Sequence, residues 1–224
     1  MKNEPQTEEA APAKPSKGKI RENLEALVIA IILAMFIRTF AVQAFKIPSG
    51  SMQNTLLIGD YILVNKFIFG VKLPYTDITI IPVKVPQRGE VIVFKFPDDP
   101  SKDFIKRVVG VGGDTIRIVN KKVYVNGKPQ ENPYAIYMDP HTNPFGAPQR
   151  DNLGPITVPE GKLFMMGDNR DESNDSRFWG FVDVSAVRGK AFMIYWSWDS
   201  DGFDVRWKRL GHLIAHQWVS NEVE

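Results

Sequence analysis

The stretch EVIVFKFPDDPSKDFIKRVVGVGGD, residues 90–114, holds two apolar runs separated by a polar turn. Each run has the length of a strand and is rich in Val, Ile and Phe, and Gly, Pro and Asp punctuate its ends. Similar runs recur between Tyr61 and Trp196, so the pattern predicts a mostly β fold. The 17 Gly and 16 Pro residues also favour many turns over a helical bundle.

The composition narrows the classes of function. The 224 residues are enough for one large domain or for a domain with an inserted lobe. A formal net charge of +2 is too small to indicate nucleic acid as the main partner. The absence of cysteine excludes disulfides, thiolate metal sites and thiol nucleophiles, and we expect neither a metal nor another cofactor. The histidines are His141, His212 and His216.

The amino-terminal part begins with a segment rich in Ala, Pro, Lys and Glu, and we expect residues 1–23 to form a disordered cytoplasmic tail. An apolar stretch from Ala26 to Phe45, with Arg38 as its one charged residue, follows and predicts a transmembrane helix over residues 24–45. Because cationic flanks stay in the cytoplasm, the rest of the chain is expected on the outer face. A buried soluble helix and a cleavable signal peptide are the alternatives, since Val42 and Ala44 stand like the small residues before a cleavage site.

The remaining chain is interpreted as a β domain over residues 46–210. A loop-rich section, residues 126–159, is interpreted as an inserted lobe. The last stretch of the chain, RWKRLGHLIAHQWVS, contains aromatic and basic residues in a pattern typical of a helix, and residues 211–224 contain its second part. This terminal segment is expected to be a helix that either lies at a membrane surface or packs against the core.

The stretch IPSGSMQNTLLIGD, residues 47–60, places Ser49 and Ser51 on a tight Pro-Ser-Gly turn between apolar residues. A serine hydroxyl is a weak nucleophile that needs a neighbouring base and hydrogen-bond donors for the developing oxyanion. Taken alone, the turn is also ordinary loop chemistry, because Pro, Ser and Gly are common in turns. The two hydroxyls are therefore candidates for catalysis that depend on a base.

Two kinds of base are open. Histidine is the usual partner of a serine nucleophile, and spacing does not exclude a Ser-His-Asp arrangement because triads assemble from distant residues. Lysine acts as a base only if burial lowers its pKa by a few units from about 10.4. In DFIKRVVGVGGD, residues 103–114, strand alternation places Phe104, Lys106 and Val108 on one face. Lys106 is thus the lysine candidate, although most strand lysines lie at the surface.

The stretch GDNRDESNDSRFWGFV, residues 167–182, mixes acids, amides and serines with arginines. Its Asp, Asn and Ser residues are of the types that bind calcium. The EF-hand pattern fails, however, because Arg170 occupies a ligand position and the central glycine is missing. A solvated acidic loop is the simpler interpretation. Because Arg170 and Arg177 are interleaved with the acids, we expect internal ion pairs that give the loop a fixed shape.

These stretches together resemble the type I signal peptidases, a family of Ser/Lys endopeptidases. PSGSM after an apolar span, FIKRVVGVGGD and GDNRDESNDSRFWGFV occur in the family's order, and RGEVIVFKFP resembles a fourth motif. The resemblance covers residues 26–210 and implies a Ser/Lys-protease β-fold. It also implies Ser51 as nucleophile, Lys106 as general base, and Ser49 as an oxyanion donor beside the Ser51 backbone N–H.

The resemblance implies supporting roles for further residues. A hydroxyl on Ser173 would orient Lys106. The loop residues that would support the site are Asp168, Arg170, Asp175 and Arg177. The residues that match positions near the family's small apolar substrate pockets are Phe45, Ile47, Phe104 and Ile105.

The implied function is a membrane-bound endopeptidase that removes signal peptides from exported preproteins after an A-x-A-like site, through an acyl-enzyme. Its partners would be these signal peptides and the lipid bilayer, in the bacterial cytoplasmic membrane. Ser51 is six positions after Phe45, a reach of about 20 Å at most, so the nucleophile would lie near the outer membrane surface. A Ser/Lys self-cleaving regulator and a β domain that binds cell-surface ligands are the alternative functions.

Overall fold

In the computed structural model the chain forms two compact units, Met1–Ile37 and Arg38–Glu224. The residues that the structure describes are 18–36, 42–72, 79–81, 83–142, 147–199 and 201–214.

The first unit contains one helix, α1, Lys19–Phe36, among its described residues. Its sequence is rich in Leu, Ala, Ile and Glu, which adopt helix readily, and the apolar side chains at Leu27, Ile29 and Ile32 are exposed. No helix in the described ranges is both long enough and apolar enough to cross a membrane. The helix begins before the predicted end of the disordered tail, and residues 1–17 of that tail lie outside the described part of the chain.

The carboxyl end of the predicted transmembrane segment differs from the structure. Residues 24–36 are helical and residues 37–41 are not described, but Val42–Lys46 form a strand. This strand pairs antiparallel with the strand Asp60–Asn65, from Val42 opposite Asn65 to Lys46 opposite Tyr61. The anchor prediction for residues 24–45 therefore extended too far, because the backbone of its last residues is committed to a sheet.

The second unit confirms the predicted mostly β fold. The strands are β1 Val42–Lys46, β2 Asp60–Asn65, β3 Val71–Lys72, β4 Thr79–Ile81, β5 Val91–Phe96, β6 Asp99–Val111, β7 Thr115–Val119, β8 Lys122–Val125, β9 Lys128–Pro129, β10 Leu153–Thr157, β11 Lys162–Met166, β12 Val182–Asp183, β13 Val187–Asp199, β14 Asp204–Val205 and β15 His212–Leu213. A short helix, α2, spans Ser176–Trp179.

The main sheet is antiparallel with the order β1-β2-β13-β5-β6-β11-β12, and β14 and β15 both pair with β13. Strand β5 is central and buried on both faces. Val91 and Val93 pack into one core cluster, and Ile92 and Phe94 pack into another. The continuous apolar run in the sequence follows from this burial, because neither face of the strand meets water.

A second sheet has the order β10-β7-β8-β9 and covers part of the first. Its core residues, together with those of β6 and β11 that they contact, are Val109, Ile116, Ile118, Val123, Val125, Val158, Phe164 and Met166. The predicted lobe over residues 126–159 therefore begins too late, since β7 and β8 pair with each other and belong to this sheet. A short strand pair, β3–β4, lies apart from both sheets.

The carboxyl-terminal segment also differs from its prediction. His212–Leu213 form β15, which pairs with β13, and the residues before it form a 3₁₀ turn, Trp207–Arg209. The helical interpretation of residues 211–224 is therefore wrong at its start, where backbone groups pair with an existing sheet. Residues 215–224 lie outside the described part of the chain.

Candidate active site

Ser51 lies in a 3₁₀ turn, Gly50–Met52, between two buried apolar side chains. Ile47 and Met52 anchor the turn in the core that β1 and β2 share. The backbone N–H of Ile47 donates to the Asp60 carbonyl at 2.8 Å, so the loop closes on itself at the start of β2. Ser51 is 9% exposed, which leaves its hydroxyl at the edge of a buried site.

Lys106 projects from β6 towards this turn. Its Nζ lies 2.7 Å from Ser51 Oγ, although the two residues are 55 positions apart in the chain. Only 4% of Lys106 is exposed. A neutral amine at this distance can take the serine proton as the hydroxyl attacks, which is the geometric requirement for a general base.

Burial lowers the pKa of Lys106 to about 8. The charges of Asp175 and Asp168 oppose this shift and the charge of Arg177 adds to it. The Phe104 ring, on the same face of β6, has its centroid 5.4 Å from Nζ. Because a pKa near 8 leaves roughly a tenth of the amine neutral at pH 7, the base is available near neutral pH.

Asp175 and Arg177 form the ion pair that the loop sequence predicts. Nε and an Nη of Arg177 donate to the two oxygens of Asp175, each at 2.8 Å, and both residues are buried. The Gly167 N–H also donates to Asp175, at 3.0 Å. Burial would raise the pKa of Asp175, but the charge and hydrogen bonds of Arg177 hold it below its usual value. The pair thus fixes the loop with a charged carboxylate.

Asp168 pairs with Arg107, a residue that the sequence reasoning did not include. Arg107 donates from Nε to Asp168 Oδ1 at 2.8 Å and from an Nη to Oδ2 at 2.6 Å. Thr55 Oγ1 donates to the same carboxylate at 2.6 Å. Burial would raise the pKa of Asp168, but hydrogen bonds and charge from Arg107 lower it. The available signal was strand alternation, which places Arg107 on the opposite face of β6 from Lys106.

Arg170 and Ser173 are brought to the same loop, but without the contacts expected for Ser173. Arg170 is buried, and burial lowers its pKa. Within the described residues, Arg170 Nε has no hydrogen-bond partner. The Ser173 hydroxyl faces Asp175 and helps to lower the pKa of that carboxyl group. The expected hydrogen bond from Ser173 to Lys106 is not formed, so the orienting role of Ser173 remains a prediction.

The loop also reaches the nucleophile turn directly. The backbone N–H of Asn169 donates to the Ser51 carbonyl at 3.1 Å. A Cβ at Gly167 would collide with the Ser173 hydroxyl and the Ser51 carbonyl oxygen, so glycine is required for this close approach. The backbone of Gly167 thereby lets the loop touch the turn that carries Ser51.

Ser49 lies at the start of the 3₁₀ turn with an extended backbone and an exposed side chain. In the part of the chain that the structure describes, neither its hydroxyl nor the Ser51 N–H has a hydrogen-bond acceptor. Both groups are therefore free to donate to a ligand. This is the property that an oxyanion site requires.

The expected pocket residues divide between two clusters. Phe45 and Ile105 pack against the cluster that contains Ile47, which is itself 2% exposed. Phe104 packs in the other cluster and stacks on Phe96, with ring centroids 4.3 Å apart. The structure therefore brings Phe45, Ile47 and Ile105 together and separates Phe104 from them.

The histidine alternative receives no geometric support. The His141 side chain is 87% exposed and contacts Asp139. His212 is exposed on β15, and His216 lies outside the described residues. Lys106 is the titratable side chain that contacts Ser51 Oγ among the described residues.

Comparisons with known proteins identify the family of the chain. The family model described as "Signal peptidase, peptidase S26" matches residues 20–196. The signal peptidase I of Pseudomonas aeruginosa is 40% identical over 198 aligned positions, covering 75% of this chain and 69% of that protein. The signal peptidase I of Aquifex aeolicus is 35% identical, covering 80% of this chain and 85% of that protein. A solved signal peptidase I from Enterococcus faecalis is 29% identical, covering 48% of this chain and 97% of that chain, with a TM-score of 0.40. The chain therefore belongs to the signal peptidase family, peptidase S26, and is a serine endopeptidase.

Proposed function

We propose that this endopeptidase removes signal peptides from exported preproteins after an A-x-A-like site, with Ser51 as nucleophile and neutral Lys106 as general base. The observation that carries the proposal is the 2.7 Å separation of Lys106 Nζ and Ser51 Oγ in a buried site. The names of the relatives supply the substrate class, since they are signal peptidases.

The reaction would proceed through two acyl transfers. Neutral Lys106 takes the proton of Ser51 as Oγ attacks the carbonyl carbon of the scissile bond. The resulting lysine ammonium then protonates the leaving amine, the carbon–nitrogen bond breaks, and the signal peptide remains as an ester on Ser51. A water molecule then gives a proton to the same lysine and attacks the ester carbon. The bond between that carbon and Ser51 Oγ breaks, Oγ takes the proton back from the lysine ammonium, and the signal peptide leaves as a carboxylic acid that ionises in water.

The tetrahedral intermediates place negative charge on the former carbonyl oxygen. The Ser51 N–H and the Ser49 hydroxyl belong to the turn that carries the nucleophile, and neither donates to an acceptor within the described residues. Preorganised donors of this kind lower the barrier because they need no rearrangement when the charge develops. We assign the two groups to the oxyanion site.

Substrate specificity is assigned to the apolar wall beside the turn. Phe45, Ile47 and Ile105 pack together there, and a well-packed wall admits a methyl group and disfavours larger side chains. One extra methylene in a fitted pocket costs about 1–3 kcal/mol. This preference would give the A-x-A-like site its small residues.

We place the enzyme in the bacterial cytoplasmic membrane with its amino terminus inside. The support is the apolar sequence from Ala26 to Ile37 with cationic residues before it. The exposed apolar side chains of α1 are compatible with a lipid environment. Signal peptides and the bilayer are the partners in this proposal.

A preprotein cleavage assay tests the function. Purified protein in detergent should release the mature protein in trans, and the product should begin directly after the small-residue site. Ser51→Ala should abolish cleavage, and Ser49→Ala should lower the rate by about 100- to 1,000-fold. Removal of His141, His212 and His216 together should leave most activity. Cleavage at wild-type rate by Ser51→Ala, or a folded triple-histidine variant without activity, would refute the mechanism.

A further inference from the structure

The turn between β7 and β8 carries a lysine where glycine is the usual residue. Asn120 and Lys121 have φ values of 47° and 69°, the left-handed conformation that this two-residue turn requires at both positions. The next hairpin turn, between β8 and β9, uses Asn126 and Gly127 for the same geometry. A lysine at positive φ carries a conformational cost, and such strain persists where surrounding contacts hold the residue in place.

The Lys121 ammonium is held by the loop that carries the candidate site. Its Nζ donates to Asp171 Oδ1 and to the Asp139 carbonyl oxygen, each at 2.7 Å. The side chains of Lys121 and Asp171 are 11% and 4% exposed, so this is a mostly buried ion pair. The Asp139 N–H donates to the second oxygen of Asp171 at 2.8 Å. One lysine thus joins a hairpin of the second sheet to two separate segments.

The first of these segments is the strap, which we define as residues 132–139. It pairs with the catalytic loop, which we define as residues 167–177, through a parallel bridge between Ile136 and Asn169. The Ile136 N–H donates to the Asp168 carbonyl at 2.8 Å, and the Arg170 N–H donates to the Ile136 carbonyl at 2.9 Å. The strap therefore fixes the backbone on both sides of Asn169.

The strap also contacts the two elements that carry Ser51 and Lys106. Asn54 Nδ2, in the loop after Ser51, donates to the Tyr134 carbonyl at 3.0 Å. The guanidinium of Arg107, next to Lys106 in β6, lies 4.5 Å from the centroid of the Tyr134 ring. Asn132 Nδ2 donates to Asp168 at 3.3 Å. The strap thus contacts the loop after Ser51, β6 and the catalytic loop.

We propose that Lys121 is a positioning residue for catalysis. Its ammonium fixes Asp171 and the carboxyl end of the strap, and the strap holds the catalytic loop against Ser51 and β6. This role rests on the proposed Ser51–Lys106 mechanism. The second sheet thus influences the rate of the reaction through Lys121, which does not contact the substrate or the reacting atoms.

Loss of the ammonium should affect the chemical step more than substrate binding. Without the ammonium, Asp171 keeps only the Asp139 N–H as its donor. The catalytic loop is then freer to move away from the Ser51 carbonyl, and water can reach Lys106. Burial is the main cause of the lowered pKa of Lys106, so its pKa should rise, while Asp168, Asp175 and Arg177 keep their pairs. A small misplacement remote from the chemistry can cost about 100-fold in rate. We expect kcat at pH 7 to fall by about 10- to 100-fold and KM to change little.

The test compares two glycine substitutions in the same turn of the full-length enzyme. Lys121→Gly suits the backbone conformation and removes the ammonium. Asn120→Gly makes the same backbone change and keeps Lys121. The backbone N–H of Asn120 donates to the side-chain oxygen of Asn152, so this hydrogen bond does not depend on the Asn120 side chain. We expect Asn120→Gly to match the wild type. Lys121→Gly should show the lower kcat and a pH profile shifted to higher pH, and Lys121→Arg should recover most of the kcat.

Each outcome decides the proposal. If Lys121→Gly folds and has the kcat and pH profile of Asn120→Gly, Lys121 does not position the site. If Lys121→Gly does not fold, Lys121→Gln replaces it in the same measurements, and failure of both to fold assigns Lys121 to stability and also overturns the proposal. Ser51→Ala and Lys106→Met are measured beside them. Activity in those two variants would overturn the proposed function itself, whereas their inactivity beside a normal Lys121→Gly overturns this inference alone.

Discussion

Two lysines lie on either side of Ile92 in the main sheet, and they have different partners. Lys106 on β6 and Lys190 on β13 are both register partners of Ile92 on β5. Lys190 Nζ lies 3.0 Å from Glu90 Oε1, in a salt bridge whose carboxylate is almost fully buried. Lys106 Nζ lies 2.7 Å from the hydroxyl of Ser51. Similar positions in one sheet thus produce a structural ion pair and a candidate base.

The partner explains the difference. Burial would raise the pKa of Glu90, but hydrogen bonds from Gln87 and Lys190 hold it below its usual value, so the carboxylate stays charged opposite Lys190. The carboxylates near Lys106, Asp175 and Asp168, are each bound in a bidentate manner by an arginine. They raise the pKa of Lys106 less than burial lowers it. In the proposed mechanism, Lys106 is able to act as a base because the neighbouring carboxylates are already paired with arginines.

Substitution by arginine should separate the two lysines most strongly. Arginine keeps the charge and does not lose its proton in a protein, so Lys106→Arg removes the base. We expect its initial rate of preprotein cleavage to fall by about 100- to 10,000-fold, the range that a general base contributes. Lys190→Arg retains a cation opposite Glu90 and should cleave at close to the wild-type rate. An active Lys106→Arg enzyme would contradict the role of Lys106.

Substitution by methionine should have opposite effects on stability. The pKa of Lys106 is lowered from 10.5 to about 8 in the folded protein, so keeping it protonated at pH 7 costs about 3 kcal/mol. That cost is fully present below pH 8 and disappears as the pH rises through the unfolded-state value near 10.5. Lys106→Met should therefore unfold at higher denaturant concentration than the wild type at pH 7, with a gap that shrinks towards pH 10.5.

Lys190→Met provides the matched comparison, because it removes one partner of a buried carboxylate. We expect the free energy of unfolding to fall by about 1–3 kcal/mol. Lys84 remains 3.2 Å from Glu90 and limits the loss. Chemical denaturation of both variants at pH 7 gives the two signs. If Lys106→Met lowers the free energy of unfolding as much as Lys190→Met does, burial does not disfavour the charged form of Lys106.

The sequence predicts the strands near these two lysines well. Strand β5 is the clearest case, because its burial on both faces is encoded as a continuous apolar run. Alternation along β6 also separates Lys106 from Arg107. The meeting of Ser51 and Lys106 was not contained in any local pattern, since 55 residues separate them. Their pairing was inferred from a family resemblance.

The differences from the sequence predictions share a physical cause. Val42–Phe45 prolong the apolar stretch, with Gln43 as the polar exception, but pair with β2, and His212–Leu213 pair with β13. Local composition does not reveal which sheet edge will accept a strand. The same holds for Arg107, whose partner Asp168 is 61 positions away. Tertiary pairing decides each of these cases.

The pH dependence of kcat/KM tests the central claim most directly, because it reports the ionisation of the free enzyme. If neutral Lys106 is the base, kcat/KM should rise about tenfold per pH unit below pH 8 and level off above an apparent pKa of about 8. The same rise of kcat/KM with pH should remain in the variant that lacks His141, His212 and His216. A limb near pH 6.5 that disappears with the histidines, or a profile that is flat from pH 6 to 9, would contradict a lysine base.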